Sequence, residues 1–283
     1  MIRNLRSAAL FLCAVFSFLS LAQAQSSKKA DGLTYSSFTG QPAPTKEVLF
    51  DLVRQVRWDT EAGDENPQGL RLRFEKINDP AQSATALPRY RVFADGAPEN
   101  KVYTLGIWLV GKEIAYGNQE IYVNSQGLLM IHRPTAEQAT IFKAPADELE
   151  ITPQGITAEP IRYILTSKDQ QLSILGTIVP HPVTAQDQEC TLEVRIAEPN
   201  AAAVLVVVDR FPPRTKVPLV LESEGETASL VTTTDSGGHA EVVDFPSVLG
   251  KTQGTLKTTA EGSNCLPSVL LPWGASALVK RTQ

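Results

Sequence analysis

The first residues with the types and spacing for chemistry are Asp-Ser-Gly-Gly at 235–238, letters that surround the nucleophile of one class of serine protease. Such an enzyme needs a glycine two residues before the serine for its oxyanion hole, and a histidine base earlier in the chain. Thr234 occupies the glycine position, and neither His132 nor His181 has a sequence setting typical of that base. An aspartate followed by two glycines, between strand-like segments, is typical of a hairpin turn. We therefore predict a hairpin, with Ser236 in its turn and not a nucleophile.

A second candidate motif is Gly250-Lys251-Thr252, which matches the end of a phosphate-binding P-loop. The motif requires an earlier glycine, where Phe245 stands, and a strand-to-helix transition that the surrounding sequence lacks. We predict a connecting loop here. The chain also lacks the G-x-S-x-G, H-E-x-x-H and dinucleotide-binding patterns, so we predict no catalytic residues and no cofactor.

Metal binding is also poorly supported by the sequence. The three histidines are scattered singly, without the spacing of metal ligands. An oxygen-rich stretch at 59–66 has ligand types that suit Ca²⁺, but it lacks the EF-hand spacing, and a solvated loop is favoured. We predict no metal site. The oxygen-bearing residues of that stretch are Asp59, Glu61, Asp64, Glu65 and Asn66.

Three tryptophans, Trp58, Trp108 and Trp273, have the chemistry for a platform that stacks on carbohydrate rings. Single tryptophans in strands more often fill a hydrophobic core, which is the favoured interpretation. A pair of catalytic carboxylates on loops leaves no local motif, because such a pair is assembled only in the folded structure. A glycan-acting hydrolase therefore stays open as an alternative.

The N-terminus predicts export. Arg3 and Arg6 precede an apolar run at 8–21, and Ala22-Gln23-Ala24 has the small-x-small pattern of a signal-peptidase site. The apolar run is shorter than the roughly 20 residues that a membrane-spanning helix needs. We predict a signal peptide at 1–24, cleavage after Ala24, a secreted or periplasmic protein, and no membrane span after cleavage; a retained anchor is the less favoured alternative.

Export changes the interpretation of the cysteines. Cleavage removes Cys13 and leaves Cys190 and Cys265, an even number in an oxidising compartment. We predict a disulfide between them, with two buried free thiols as the alternative.

Charge and length limit the partners. Removing residues 1–24 leaves 259 of the 283 residues; it takes away two arginines and no acid, so the formal net charge changes from −5 to −7. This sign and the lack of a long basic run do not suit a phosphate backbone, so we predict no nucleic-acid partner. The ligand we expect is a protein or a glycan of unknown identity. The length of the mature chain suits about two domains.

Period-two alternation dominates the mature sequence. Segments such as Gly69–Glu75, Cys190–Ile196 and Val217–Leu221 alternate apolar with polar residues between turn-forming clusters, as strands of antiparallel sheets do. The segment Thr45–Trp58 has helical spacing instead, with Thr45 as a possible N-cap; a strand buried on both faces competes with it. We predict a mainly β protein with a helix near 45–57 and two antiparallel β-sandwich modules, at 25–150 and 151–283, joined in the Pro-rich, acidic segment Ala144–Pro160.

Several spans of the chain carry strand-and-turn signatures: GAPENKVYTLGIW at 96–108, CTLE at 190–193, FPP at 211–213, ESEGE at 222–226, and Cys265 followed by PWG at 272–274. These spans resemble uncharacterised secreted bacterial proteins with Ig-like sandwich modules. The resemblance implies an extracytoplasmic β-sandwich without an established activity. Antibody-type domains place a tryptophan between their paired cysteines, and none lies between Cys190 and Cys265, so the resemblance extends to an Ig-like topology only.

The sequence thus predicts a secreted, non-catalytic binding or structural protein of unknown ligand. Two alternatives remain. One is the glycan-acting hydrolase, and the other is an envelope-assembly module that donates or accepts a strand at an exposed sheet edge.

Overall fold

A computed structural model describes residues 28–30, 33–38, 44–63, 66, 69–77, 87–132 and 146–278. The predicted signal peptide, its cleavage site and Cys13 lie outside the described residues. Within them the chain is mainly β, with several antiparallel sheets and one α-helix, which confirms the predicted fold class. None of the described helices combines the length and hydropathy required to cross a lipid bilayer.

The α-helix of the described chain, α1, spans Lys46–Gly63. The strands in chain order are β1 (Lys28–Ala30), β2 (Leu33–Ser37), β3 (Arg71–Lys76), β4 (Tyr90–Asp95), β5 (Tyr103–Trp108), β6 (Ala115–Tyr116), β7 (Ile121–Val123), β8 (Leu129–His132), β9 (Ala146–Glu148), β10 (Glu150–Ile151), β11 (Ile161–Ser167), β12 (Ser173–Ile178), β13 (Val183–Asp187), β14 (Cys190–Ile196), β15 (Val204–Asp209), β16 (Lys216–Ser223), β17 (Glu226–Thr233), β18 (Ala240–Phe245), β19 (Gln253–Ala260) and β20 (Ser268–Gly274).

Two sheets form what we call the first module. One has the strand order β10-β4-β3, and the other has the order β12-β11-β5-β7-β8-β9, with β6 paired to β5. Alternate residues of both sheets meet in one core, for example Val92 of β4 and Leu165 of β11, neither of which is exposed. The period-two pattern of the sequence therefore predicts the faces of these strands.

Two further sheets form the second module. Their strand orders are β1-β2-β18-β15-β14-β13 and β17-β16-β19-β20, and both contribute to a second core. This packing of two sheets around one core is compatible with the predicted sandwich. Strand β15 is apolar at five successive positions because both of its faces are buried: Val206 faces the second core, and Leu205 faces α1.

Strands from both sides of the predicted division at 150/151 pair in the sheets of the first module. Strands β11 and β12 pair within the sheet that contains β5, so the chain leaves the first module between Ile178 and Val183. Strand β2, at the start of the described chain, pairs in parallel with β18 of the second module. The second module is thus built from both ends of the described chain.

Helix α1 begins as predicted and ends later. Thr45 accepts a hydrogen bond at its side-chain oxygen from the backbone N–H of Val48, 3.3 Å away, which is an N-cap interaction. The predicted apolar face, which includes Leu52 and Val56, packs on the side of β15 and β18 that faces away from the second core. The helix continues to Gly63, so the stretch predicted as a solvated loop from Asp59 is partly helical.

The predicted disulfide joins Cys190 and Cys265, whose Cα atoms lie 6.2 Å apart. Cys190 begins β14 of the six-stranded sheet, and Cys265 precedes β20 of the four-stranded sheet. Both cysteines lie in the second core, so the bond links the two sheets of the second module.

The Asp-Ser-Gly-Gly segment is a turn, but the predicted hairpin is wrong. Asp235 accepts hydrogen bonds at Oδ1 from the backbone N–H groups of Gly237 and His239, at 2.7 and 3.0 Å. The flanking strands β17 and β18 belong to different sheets, because β17 pairs with β16 while β18 pairs with β15. The local residues specify the turn, whereas packing of the two sheets decides the pairing of its arms. Of the two glycines, only Gly238 has positive φ.

We predict that the double substitution Cys190→Ala with Cys265→Ala lowers the free energy of unfolding by about 4 kcal/mol. The chain-entropy model assigns this cost to releasing a loop of such length, since the cysteines are 75 residues apart. Urea denaturation of the mature protein measures the change, and reduction of the wild type should reproduce it. An unchanged free energy of unfolding would contradict the role of the disulfide.

We also predict that Gly238→Val destabilises the protein by roughly 3 kcal/mol, because its φ of +83° disfavours a side chain. A Cβ atom there would also overlap the backbone oxygen of Phe211. Gly237→Val is the matched control and should cost less, and Ser236→Ala, at an exposed position, should be nearly neutral. Chemical denaturation compares the three variants, and equal losses at 237 and 238 would refute the assigned backbone geometry.

Candidate functional site

The structure does not bring the motif residues of the sequence together. Ser236 is exposed in its turn, and His181 is exposed between β12 and β13, while His132 ends β8. The Gly-Lys-Thr residues at 250–252 lie in the loop between β18 and β19, as predicted. Among the described residues, no group of three or more His, Cys, Asp and Glu side chains has the geometry to hold a metal ion.

His239 lies between two carboxylates. Its Nε2 lies 3.4 Å from Glu241 Oε1, and its Nδ1 lies 3.8 Å from Asp209 Oδ1. The hydrogen bond with Glu241 raises the pKa of His239, partial burial opposes this, and the charges of Glu241, Asp209 and Asp235 add to the rise. The side chain is 40% exposed, so solvent screens these interactions.

The three tryptophans do not form a common platform. Trp273 is buried in the second core and donates a hydrogen bond from Nε1 to Ser223 Oγ at 2.9 Å. Trp58 and Trp108 meet elsewhere, with their ring centroids 5.4 Å apart, where α1 contacts the first module. The predicted burial therefore holds for Trp273 and for Trp108, and the contact between Trp58 and Trp108 joins the helix to the first module.

The oxygen-rich stretch at 59–66 is not gathered into one site either. Asp59 is buried on α1, and Asn66 forms two hydrogen bonds with the backbone of Leu175 in β12. The side chain of Glu61, and both Asp64 and Glu65, lie outside the described residues. Asp59 instead belongs to a group of charged side chains between the modules, two of which are buried.

The centre of this group is an ion pair between Asp59 of α1 and Arg162 of β11. Arg162 donates from Nε to Asp59 Oδ1 at 2.9 Å and from Nη2 to Oδ2 at 2.7 Å, so both carboxylate oxygens are engaged. The side chains are only 3% and 2% exposed. Thr177 of β12 donates a third hydrogen bond to Oδ1 at 2.8 Å. A buried, two-pronged pair of this kind fixes the direction of both partners.

A second ion pair extends the group to the second module. Arg195 of β14 binds Glu193 through Nε at 2.8 Å and Nη2 at 3.1 Å, and its Nη1 lies 3.8 Å from Asp59 Oδ2. Burial alone would lower the pKa of Arg195, but the hydrogen bond to Glu193 and the charges of Glu193, Asp59 and Glu241 outweigh it and raise the pKa. Two cations and two carboxylates thus balance one another around α1. We call Asp59, Arg162, Glu193 and Arg195 the junction cluster.

Aromatic contacts surround the junction cluster on the side of the first module. The guanidinium carbon of Arg54 lies 4.1 Å from the ring centroid of Trp108, and that of Arg162 lies 5.1 Å from it. Both distances are typical of cation–π contacts. Trp108 Nε1 donates to the backbone oxygen of Lys112 at 2.9 Å, which fixes the ring. Trp58 and Arg54 therefore attach α1 to β5, in addition to the attachment of Asp59 to β11.

Gln55 continues the attachment of α1 to the second module. Its Nε2 donates to the backbone oxygen of Ala197 at 2.8 Å. A cavity of about 10 Å³ lies beside it, close to the room that one water molecule needs. Gln55 Oε1 and Arg162 Nη1 are buried without a hydrogen-bond partner among the described residues. The cavity is far smaller than the volume of a small-molecule site.

The modules also touch directly, without the helix. Ala158 donates its N–H to the backbone oxygen of His181 and accepts from the N–H of Ile196, both at 2.8 Å. Gly111 approaches Pro199 so closely that a side chain at 111 would overlap the proline ring. Val110 and Ala158 belong to the second core, although both lie in the part of the chain that precedes β11. The junction is therefore packed on several sides.

Sequence reasoning did not identify the junction cluster. Arg162 stands in the strand IRYILTS, where one polar residue at an outward position is typical of any strand, and Arg195 stands in CTLEVRI for the same reason. The sequence contained only a weak signal for this cluster, namely the charged and aromatic residues Arg54, Arg57, Trp58 and Asp59 near the end of the predicted helix. Only the tertiary structure pairs these side chains across more than 100 residues.

No protein-family model matches the chain, and a comparison with curated protein sequences finds no significant match. The functional argument therefore depends on the geometry described above.

We predict that Asp59→Ala lowers the free energy of unfolding by about 3–5 kcal/mol, because it leaves the buried charge of Arg162 without its partner. Replacing both residues, as Asp59→Leu with Arg162→Met, should recover much of this loss, because neither charge remains buried. Urea denaturation gives the three values.

The matched control is Glu222→Ala, which removes an ion pair with Lys257 at 2.8 Å on the protein surface. Both side chains of that pair are nearly half exposed, so its loss should cost less than about 1 kcal/mol. If Asp59→Ala cost no more than Glu222→Ala, the buried pair would not hold the helix in place.

Proposed function

We propose that the chain is an exported, non-catalytic binding or structural protein, in which α1 holds the two β modules in a fixed arrangement. The observation that carries this proposal is the junction cluster, at whose centre the buried charges of Asp59 and Arg162 bind each other. Asp59 reaches Arg162 and Thr177 of the first module and approaches Arg195 of the second. A single carboxylate on the helix thus interacts with both modules.

The chemistry of the junction cluster supports a structural role. A general base or nucleophile needs a free lone pair directed at a substrate. Asp59 instead accepts three hydrogen bonds within the protein, and Arg162 directs two donors at Asp59. The adjacent cavity has room for about one water molecule rather than a substrate. These groups therefore stabilise the assembly of the modules.

The disulfide supports export. Disulfides persist in oxidising compartments and are rare in the cytosol, and the Cys190–Cys265 bond links the two sheets of the second module. With the N-terminal pattern of two arginines, an apolar run and a small-x-small site, it favours a secreted or periplasmic location. The sheet packing is also what an Ig-like module requires, and such modules commonly present a binding surface to proteins or glycans.

The test is whether the mature protein acts by binding or by turnover. Purified protein incubated with panels of peptide, ester and glycan substrates should release no product above the buffer rate. Glycans or peptides that it recognises should bind saturably and be recovered unchanged. Product release that disappears on a single carboxylate substitution, with the fold intact by circular dichroism, would overturn the proposal and favour a glycan-acting or other hydrolase.

A further inference from the structure

Strand β17 forms an edge of the four-stranded sheet, and it differs from the other edge strands of the described chain. It has eight residues, ETASLVTT, and pairs with β16 without a bulge over its whole length. Its only charge is Glu226 at the first position, and it contains no proline. Among the described strands, β17 pairs by backbone hydrogen bonds with β16 alone. A long, regular edge with a single charge at one end is a template for pairing with another strand.

Every other edge strand of the described chain is shorter than β17, and most of them also carry a further feature that discourages pairing. Charge, proline, short length or a covering side chain are the usual devices by which proteins protect sheet edges. In β12, for example, the side chain of Asn66 bonds both the N–H and the oxygen of Leu175, at 3.3 and 3.1 Å. The remaining edges are β1 with three residues, β6 with two, β3 with four charged residues, β9 with Asp147 and Glu148, β10 with two residues and Glu150, β13 with five residues and Asp187, and β20 with Pro272.

The sequence of β17 is complementary to itself in an antiparallel arrangement. In one continuous sheet, the buried faces of both strands must lie on the same side, so a buried residue must pair with a buried residue and an exposed one with an exposed one. The two-fold axis must therefore pass through a residue and not between two residues. With Leu230 on the axis, Thr227 faces Thr233 and Ser229 faces Val231 of the second strand. Pairs of hydroxyl and β-branched residues stabilise neighbouring strands. Glu226 lies beyond the seven paired positions, so no acidic side chain faces another.

We propose that β17 is an interaction surface for a second copy of this chain, so that two four-stranded sheets join into one eight-stranded sheet across a two-fold axis. Closed two-fold dimers that use one patch of each subunit are the commonest oligomers. The exposed face of the joined strands would carry Thr227, Ser229, Val231 and Thr233 of each copy, and Val231 is already 51% exposed. The proposed dimer goes beyond the proposed function, because it does not depend on whether the protein binds a ligand or converts one.

Sedimentation equilibrium of the full mature chain, over the micromolar range, tests the proposal. The wild type should show a concentration-dependent monomer–dimer equilibrium. The double variant Ser229→Lys with Val231→Lys places lysine opposite lysine twice and should weaken the dimer about tenfold or more. The matched control is Leu270→Lys, on the exposed face of the same sheet at its other edge, where Leu270 is 61% exposed; it should leave the equilibrium unchanged.

A charge-matched mixture keeps the test decisive. The variant Ser229→Glu with Val231→Glu should also be monomeric alone, and mixing it with the lysine variant should restore a dimer that contains one copy of each. A wild type that stays monomeric at every concentration would overturn the proposal. A dimer that the lysine and glutamate variants leave intact, or that Leu270→Lys disrupts equally, would place the interface elsewhere and overturn it too.

Discussion

The buried ion pair between Asp59 and Arg162 is the constraint on which the arrangement of this protein depends. Taking two charges out of water costs several kcal/mol for each, and only a close, correctly directed partner offsets that cost. Asp59 meets this requirement with three hydrogen bonds, two of them from Arg162. Any displacement of α1 from β11 would leave a charge buried and unpaired. The helix therefore has one favourable position against the first module.

The same helix is fixed to the second module by different forces. Leu52 and its apolar neighbours cover Leu205 and Val243 on the side of the six-stranded sheet that faces away from the core, and Gln55 bonds the backbone of Ala197. Hydrophobic burial is not directional, whereas the ion pair is, so the first provides affinity and the second provides position. Backbone pairing adds a further attachment, because β2, which precedes α1 in the chain, pairs with β18 of the second module.

Local sequence patterns predicted the elements well and their partners poorly. Strand β14 matches its predicted bounds, Cys190–Ile196, because alternation is strict there, and the N-cap at Thr45 identifies the start of α1. The end of the helix was missed because Asp-Thr-Glu-Ala-Gly lacks apolar spacing, and it is the pairing of Asp59 that gives this turn a buried contact. The hairpin was missed because the pairing of strands is decided by packing between distant segments, and no local residue records it.

Residual dipolar couplings of backbone amides in the mature protein test the central claim most directly, since they report the orientation of each module relative to the other. If α1 fixes the modules through the junction cluster, couplings from the first and second modules fit one alignment tensor of equal magnitude in both. Two tensors of different magnitude in the wild-type protein would show that the modules reorient independently, and would contradict the account.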